Sequence, residues 1–407
     1  GWTDNSTTAT FSAITTAGMF LGALVGGIIG DKTGRRNAFI LYEAIHIASM
    51  VVGAFSPNMD FLIACRFVMG VGLGALLVTL FAGFTEYMPG RNRGTWSSRV
   101  SFIGNWSYPL CSLIAMGLTP LISAEWNWRV QLLIPAILSL IATALAWRYF
   151  PESPRWLESR GRYQEAEKVM RSIEEGVIRQ TGKPLPPVVI ADDGKAPQAV
   201  PYSALLTGVL LKRVILGSCV LIAMNVVQYT LINWLPTIFM TQGINLKDSI
   251  VLNTMSMFGA PFGIFIAMLV MDKIPRKTMG VGLLILIAVL GYIYSLQTSM
   301  LLITLIGFFL ITFVYMYVCY ASAVYVPEIW PTEAKLRGSG LANAVGRISG
   351  IAAPYAVAVL LSSYGVTGVF ILLGAVSIIV AIAIATIGIE TKGVSVESLS
   401  IDAVANK

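Results

Sequence analysis

The chain has 407 residues, of which 56% are hydrophobic and only 12% are charged, and its mean hydropathy is +0.75. Soluble globular proteins are about a quarter charged, so this composition excludes a soluble enzyme or binding domain. The net charge of +7 does not indicate a nucleic-acid partner, because the 28 Lys and Arg are spread over the connections between apolar segments.

Apolar stretches of about 20 residues, the length at which a helix crosses the hydrocarbon core, recur along the chain. A membrane barrel is excluded because these runs are continuous, whereas barrel strands alternate over about ten residues. The sequence therefore predicts an all-α membrane protein with eleven transmembrane helices, at residues 11–29, 37–55, 60–83, 96–121, 129–150, 213–235, 250–271, 278–296, 300–324, 338–361 and 366–389.

Basic residues mark every second connection between these segments. Only Arg66, Arg129 and Lys247 lie in or near the other connections. Cytoplasmic loops carry the excess of Lys and Arg, so we expect the linker between the halves and the C-terminus to be cytoplasmic. The expected location is the plasma membrane, as a multi-pass protein of a bacterial inner membrane.

A repeat divides the chain into two homologous halves. The segment 30–36, Gly-Asp-Lys-Thr-Gly-Arg-Arg, is matched in charge by the segment 271–277, Met-Asp-Lys-Ile-Pro-Arg-Lys. Glu86 and Arg93 correspond in the same way to Glu328 and Arg337. Subtracting the repeat distance from segment 213–235 places its partner before residue 1. We therefore expect a twelve-helix protein whose first helix is not in this sequence.

The repeat and the polar stretches predict the domain organisation. We expect an N-terminal bundle at 1–150 (helices 2 to 6), a cytoplasmic linker at 151–212, a C-terminal bundle at 213–389 (helices 7 to 12) and a cytoplasmic tail at 390–407. In the linker, apolar residues recur at three- and four-residue spacing, which predicts a surface helix; they are Ala166, Val169, Met170, Ile173 and Val177.

No cofactor, metal site or enzymatic activity is expected. Cys65, Cys111, Cys219 and Cys319 lie in apolar segments without paired or metal-ligand spacing. His46, the one histidine, is interpreted as a core residue, with a role in pH sensing as the alternative. The sequence has no phosphate-binding loop for ATP and no nucleophile–base pair.

Several motifs together are similar to the major facilitator superfamily. They are the doubled Asp-x-x-x-Arg-Arg/Lys turn, the two Glu…Arg-Gly loops, Pro-Glu-Ser-Pro-Arg-Trp-Leu at 151–157 and Glu-Thr-Lys-Gly at 390–393. Within that superfamily the chain resembles the sugar-porter and organic-ion branch, and most of all bacterial metabolite–proton symporters of the niacin-permease type. The resemblance implies two pseudo-symmetric six-helix bundles that work by alternating access as a monomer.

The chain differs from sugar porters at the position where those proteins bind sugar, because their paired glutamines are absent from the segment 213–235. That region instead ends in Trp-Leu-Pro-Thr at 234–237, which is similar to niacin-type carriers. Aromatic and amide side chains are expected to line a central cavity, with packing or interface belts as the alternative. The candidates are Asn225, Gln228, Tyr229, Asn233, Trp234, Tyr315, Tyr320, Asn105, Trp106 and Asn343.

Three ionisable residues stand out inside predicted membrane segments, where charge is costly and usually functional. Arg347 is about 13 Å from the start of its segment; the organic-ion resemblance implies that it binds an anionic solute, and the alternative is that it snorkels or bonds backbone carbonyls. In proton-coupled members of the resembling family, the position of Arg66 faces an acid on the first helix; a structural packing role is the alternative. Glu43 is either a second proton site or a partner of the cytoplasmic network.

The repeated cytoplasmic motifs are expected to form ion-pair networks that close the inner face in the outward-open state; the alternative is that they only set topology. The residues are Asp31, Arg35, Arg36, Glu86, Arg93, Asp272, Arg276, Glu328 and Arg337.

These observations predict a secondary active transporter of a small organic anion, niacin-like or an aromatic monocarboxylate, in symport with protons. A facilitator or proton symporter of a sugar or polyol is the alternative within transport. A solute sensor without turnover is the alternative from another class. The expected partners are a small-molecule solute, protons and the lipid bilayer.

Overall fold

A computed structural model describes residues 4–87, 93–182, 184–185, 201–271, 273–331 and 334–392. The described residues are helices and short connections, as the composition predicts. The helices are α1 (Asn5–Thr33), α2 (Arg35–Ala54), α3 (Met59–Tyr87), α4 (Arg93–Asn105), α5 (Ser107–Leu118), α6 (Ala124–Tyr149), α7 (Pro154–Ser159), α8 (Tyr163–Thr181), α9 (Tyr202–Leu205), α10 (Gly208–Thr241), α11 (Leu246–Met257), α12 (Gly259–Val270), α13 (Arg276–Ser295), α14 (Met300–Cys319), α15 (Val326–Glu328) and α16 (Lys335–Ile387).

Nine helices within the described residues are long and apolar enough to cross a bilayer. Two features explain the difference from the eleven predicted segments. The segment 96–121 is divided at Trp106 into α4 and α5, each too short to span alone. The segments 338–361 and 366–389 both lie in α16, on either side of a break at Gly365, where φ is 65° and ψ is −161°. Only glycine adopts such a backbone readily, so Gly365 separates two spans.

Two further spans contain irregular turns. Phe258 joins α11 to α12 within the segment predicted at 250–271. At the end of α14 the helix widens into a π-helical turn at Tyr320–Tyr325, which α15 follows. Turns of this kind are rare and occur often at functional sites.

The chain forms two compact units, which differ from the predicted halves. One contains residues 1–13, 97–127 and 197–407, and the other contains 14–96 and 128–196. The first has a large apolar core in which Tyr294 packs against Phe239 and Phe370, with ring centroids 6.2 and 5.4 Å apart. The predicted division at 150 and 213 stays a prediction.

The second unit depends on close approach of α1 to α3. Gly18, Gly22 and Gly26 lie one above another on α1, and a Cβ at Gly22 would overlap the carbonyl oxygen of Val71. On α3, Gly74 lies equally close to the backbone of Met19. Because lipid tails are as apolar as leucine side chains, membrane helices associate through such backbone-to-backbone packing.

The linker contains the predicted surface helix. Ser153 caps α7 by accepting from the backbone N–H of Trp156, and Pro154 occupies the first turn, where its missing N–H costs nothing. The expected apolar stripe at 166–177 lies on α8, which contains no buried residue. A helix is present where the stripe predicts one; Met170 and Val177 are 42% and 41% exposed, and the other three residues of the stripe are half-buried.

Replacing Gly22 with Val is expected to destabilise the protein, because the new side chain overlaps the α3 backbone. Overpacking of this kind costs about 1–3 kcal/mol. The check is the temperature at which the detergent-purified protein loses its monodisperse chromatographic peak. Gly282→Val is the matched control, since a Cβ at Gly282 meets nothing within 4 Å. Equal stability of the two variants would contradict the packing argument.

Candidate functional site

Four helices of one compact unit bring polar side chains together at mid-membrane depth. The rings of Tyr108 on α5 and Tyr315 on α14 meet edge to face, with centroids 5.2 Å apart. Gln228 and Tyr229 on α10 lie within electrostatic range of the Tyr315 hydroxyl, and Arg347 on α16 lies within range of Tyr229. We call Tyr108, Gln228, Tyr229, Tyr315 and Arg347 the central polar cluster.

A small residue places Arg347 in this cluster. Gly346 packs against α10, where an added Cβ would lie 3.0 Å from Nδ2 of Asn225 and 2.8 Å from Cβ of Leu221. Asn225 is buried and donates from Nδ2 to the carbonyl oxygen of Leu221 at 2.8 Å. The close approach of α16 to α10 therefore depends on Gly346, and it brings the neighbouring guanidinium of Arg347 toward Tyr229.

The chemistry of the cluster suits an oxyanion. A guanidinium presents a planar set of donors that matches a carboxylate, and phenol hydroxyls can donate to the same oxygens. Arg347 is half-buried, about 18 Å along α16 from Lys335. A guanidinium at that depth is costly unless it has partners or a task.

The same unit contains two further aromatic contacts near the break between α4 and α5. Trp106, at the break between α4 and α5, is 41% exposed and meets Phe258 edge to face at 6.3 Å. Phe102 packs on Phe265 at 6.1 Å. Asn105 is half-buried and donates to the carbonyl oxygen of Ser101 at 2.7 Å.

Sequence reasoning missed three polar residues near the cluster. Tyr108 is part of it, and Ser112 lies one turn further along α5. Asn253 on α11 donates from Nδ2 to Oγ of Ser112 at 3.3 Å, while its buried Oδ1 has no hydrogen-bond partner among the described residues. The four-residue spacing that places Tyr108 and Ser112 on one face of α5 is the signal that could have identified these two residues.

Several predicted site residues have other surroundings. Trp234 is fully buried in the apolar core. Tyr320 stacks on Tyr325, with centroids 5.0 Å apart, and lies against Gly280 near the start of α13. Asn343 is exposed and donates to the carbonyl oxygen of Ser339, and Asn233 is half-buried. Contact of these four residues with a solute stays a prediction.

A network joins the predicted cytoplasmic motif of the second unit to the start of the linker. Arg35 donates to Asp31 at 2.6 Å, and Oε1 of Glu152 accepts from the backbone N–H groups of Arg35 and Arg36, at 2.6 and 3.2 Å. Glu152 thus caps α2. The carboxylate occupies the space beside Gly34, whose φ of 95° also requires glycine.

The other unit contains an equivalent network. Arg276 donates to both carboxylate oxygens of Glu328, at 3.0 and 3.2 Å. Glu390 caps α13 by accepting from the backbone N–H groups of Arg276 and Lys277, at 2.8 and 3.1 Å. Partial burial raises the pKa of the Glu390 carboxyl, but donation from three backbone N–H groups outweighs it and holds the pKa below its ordinary value.

The repeat therefore extends to the capping carboxylates, whose role the sequence analysis did not assign. Glu152 and Glu390 occupy equivalent positions, each at the amino end of the helix that follows a repeated basic turn. Arg337 is half-buried. Asp272 and the side chains of Glu86 and Arg93 lie outside the described residues.

The remaining predicted charges lie in the second unit. Arg66 on α3 is half-buried. Glu43 on α2 is 8% exposed, and its Oε2 is 3.7 Å from Nδ1 of His46. Their part in proton coupling stays a prediction.

Known proteins resemble the chain over nearly all of its length. The inner membrane metabolite transport protein YdjE of Escherichia coli is 44% identical over 98% of this chain and 88% of its own. The niacin transporter NiaP of Acinetobacter baylyi is 26% identical over 94% of this chain and 85% of its own.

Solved structures confirm the predicted fold class. A partially occluded inward-open structure of the xylose transporter XylE from E. coli superposes with a TM-score of 0.75 at 18% identity, covering 96% of this chain and 89% of XylE. The sugar (and other) transporter family matches residues 2–403. The chain therefore belongs to that family, within the major facilitator superfamily, and is a multi-pass membrane transporter of metabolites or sugars.

Proposed function

We propose that this transporter carries a small organic anion, niacin-like or an aromatic monocarboxylate, in symport with protons. The observation that supports this most directly is the guanidinium of Arg347 beside Tyr229 in a cluster that also contains Tyr108 and Tyr315. A neutral solute would leave that positive charge uncompensated at mid-membrane depth, whereas a carboxylate would neutralise it.

The aromatic surroundings favour a ring on the solute. Tyr108 and Tyr315 already meet edge to face, and Trp106 is partly exposed beside Phe258. Aromatic pairs gain about 0.5–1.5 kcal/mol beyond the area that they bury. A pyridine or benzene carboxylate would place its ring among these side chains and its oxygens at Arg347. NiaP of Acinetobacter baylyi, which the chain resembles, is a niacin transporter, and this agrees with the proposed solute class.

A sugar or polyol is the second candidate. The matching family is described as one of sugar (and other) transporters, and the amides of Gln228 and Asn253 could bind hydroxyl groups. Competition distinguishes the two candidates. Excess nicotinate or benzoate should inhibit uptake of the native solute under the anion proposal, whereas xylose or inositol should inhibit it under the alternative.

The two cytoplasmic networks form the inner gate in this proposal and stabilise the outward-open state. The linker and the tail lie in the cytoplasm of a bacterial cell, and the protein acts as a monomer. The bidentate contact of Arg276 with Glu328 and the caps provided by Glu152 and Glu390 each lie within one unit, and in this proposal they position the gate residues of that unit.

Replacing Arg347 with Ala is expected to lower the affinity for nicotinate about 30-fold or more, because removing one partner of a desolvated charge pair costs about 2–5 kcal/mol. Arg347→Lys should retain part of the affinity, since the positive charge stays but the planar guanidinium, which can bind both carboxylate oxygens at once, is lost. Uptake by proteoliposomes is the measurement, with the exposed Arg179→Ala as the control. Unchanged nicotinate uptake by Arg347→Ala would exclude the anion site.

Proton symport predicts that adding nicotinate to proteoliposomes makes the outer medium more alkaline. A pH-sensitive dye outside the vesicles reports the change, and an inward proton gradient should raise nicotinate accumulation above equilibrium. Empty liposomes account for passive entry of the protonated acid. If nicotinate causes no pH change and a proton gradient does not alter nicotinate uptake, the protein is a uniporter.

Replacing Glu390 with Gln is expected to destabilise the protein at neutral pH only. The folded-state pKa lies below the ordinary value of 4.5, so the carboxylate contributes stability at neutral pH that is lost as the pH falls through the folded pKa. The difference in thermal stability from the wild type should therefore shrink below pH 4.5. Glu167→Gln on exposed α8 is the control. A difference that does not change with pH would contradict the cap.

A further inference from the structure

A histidine and a glutamate form an isolated pair inside the second unit. Glu43 and His46 lie three residues apart on one face of α2, about 12 and 17 Å along the helix from Arg35. Oε2 of Glu43 is 3.7 Å from Nδ1 of His46, and their side chains are 10% and 15% exposed. The pair therefore lies near the middle of a membrane-spanning helix and is almost fully enclosed.

The two atoms that face each other both lack a hydrogen bond. Oε2 of Glu43 and Nδ1 of His46 are buried polar atoms without a partner in the described structure. A buried polar atom left unsatisfied costs about 1–3 kcal/mol, and a carboxylate costs more. One proton on either atom makes one a donor and the other an acceptor, so that closing the 3.7 Å gap to hydrogen-bond distance would satisfy both.

The packing around the pair is tight. Gly72 on α3 lies against the backbone of α2 at the pair. A Cβ added at Gly72 would be 3.0 Å from the backbone nitrogen of His46 and 3.1 Å from the carbonyl oxygen of Tyr42. On α1, Gly26 accepts a hydrogen bond from the Tyr42 hydroxyl at 2.9 Å. Next to the pair, Ser49 donates to the carbonyl oxygen of His46 at 2.8 Å.

The described charged residues of these neighbours lie away from Gly26 and Gly72. Arg66, the nearest on α3, is six residues or about 9 Å from Gly72 along the helix axis. Among the described side chains, the charged groups on the helices around the pair are Asp31 and Lys32 on α1, Arg35 and Arg36 on α2, Asp60 and Arg66 on α3, and Glu125, Arg129 and Arg148 on α6.

We propose that Glu43 and His46 share one proton and form an intramembrane proton site of the transport cycle. This inference rests on the proposed proton symport and adds His46 to it. Proton binding changes the net charge of the pair from −1 to 0, which removes an uncompensated buried charge. The protonated pair favours the closed packing seen here, and the deprotonated pair favours a state in which water reaches the carboxylate. A proton can thereby shift the conformational equilibrium.

Because His46 is the one histidine in 407 residues, nitrogen NMR of histidine-labelled protein reports on this site alone. The experiment uses the full chain with a histidine-free affinity tag, in lipid nanodiscs, at pH about 6.5. Glu43→Gln removes the negative partner, so the ratio of charged to neutral imidazole should fall about tenfold or more. Ser49→Ala, one turn away, should leave the ratio as in the wild type. An equal ratio in the wild type and Glu43→Gln would overturn the shared proton.

Transport assays test the coupling role separately. Proteoliposomes with Glu43→Gln or His46→Gln should lose nicotinate-driven proton uptake but keep nicotinate counterflow, which needs no net proton movement. A wild-type proton-to-nicotinate ratio in both variants would overturn the coupling role. Absence of proton uptake by the wild type would instead overturn the symport proposal and with it the coupling role. The NMR comparison would then still decide whether the pair shares a proton.

Discussion

The hydrocarbon core of a bilayer offers no hydrogen bonds, and this constraint explains most of the structure. Each backbone amide in a span must be satisfied within its own helix, so the chain folds as helices. Hydroxyl groups inside the spans follow the same rule: Thr79, Thr254 and Thr312 each donate to the carbonyl oxygen four residues earlier. In the described residues, buried polar atoms without a hydrogen-bond partner, such as Oδ1 of Asn253 and Nδ1 of His46, are therefore candidates for a functional role.

The same constraint makes the two ends of the spans chemically different from their middle. At their amino ends, α2 and α13 have free backbone amides that bind the carboxylates of Glu152 and Glu390, an arrangement favoured at helix amino ends. At mid-depth, glycines at 22, 72 and 346 bring helix backbones together and leave room for few large side chains. Arg347 lies beside one of these contacts, so the candidate solute site and the helix packing have the same structural origin.

The sequence was sufficient for the spans, the repeat and the surface helix, because each depends on local hydropathy and periodicity. The sequence also predicts four members of the central polar cluster as site residues: Gln228, Tyr229, Tyr315 and Arg347. Tyr108 was missed because periodicity shows the face of a helix but not which helices meet. The sequence predicts Tyr320 as a site residue together with Tyr315 from its polarity alone. The π-helical turn after α14 instead places Tyr320 near Gly280.

That π-helical turn also determines how the two ends of one span are oriented. Tyr315 in the central polar cluster precedes Tyr320–Tyr325, and Glu328, which binds Arg276, follows it. A π-helical turn contains one residue more than the regular helix, and a residue advances an α-helix by about 100°. If the turn tightened to regular α geometry, Glu328 would rotate by that angle relative to Tyr315. The orientation of the central polar cluster relative to the Arg276–Glu328 contact thus depends on one extra residue in this turn.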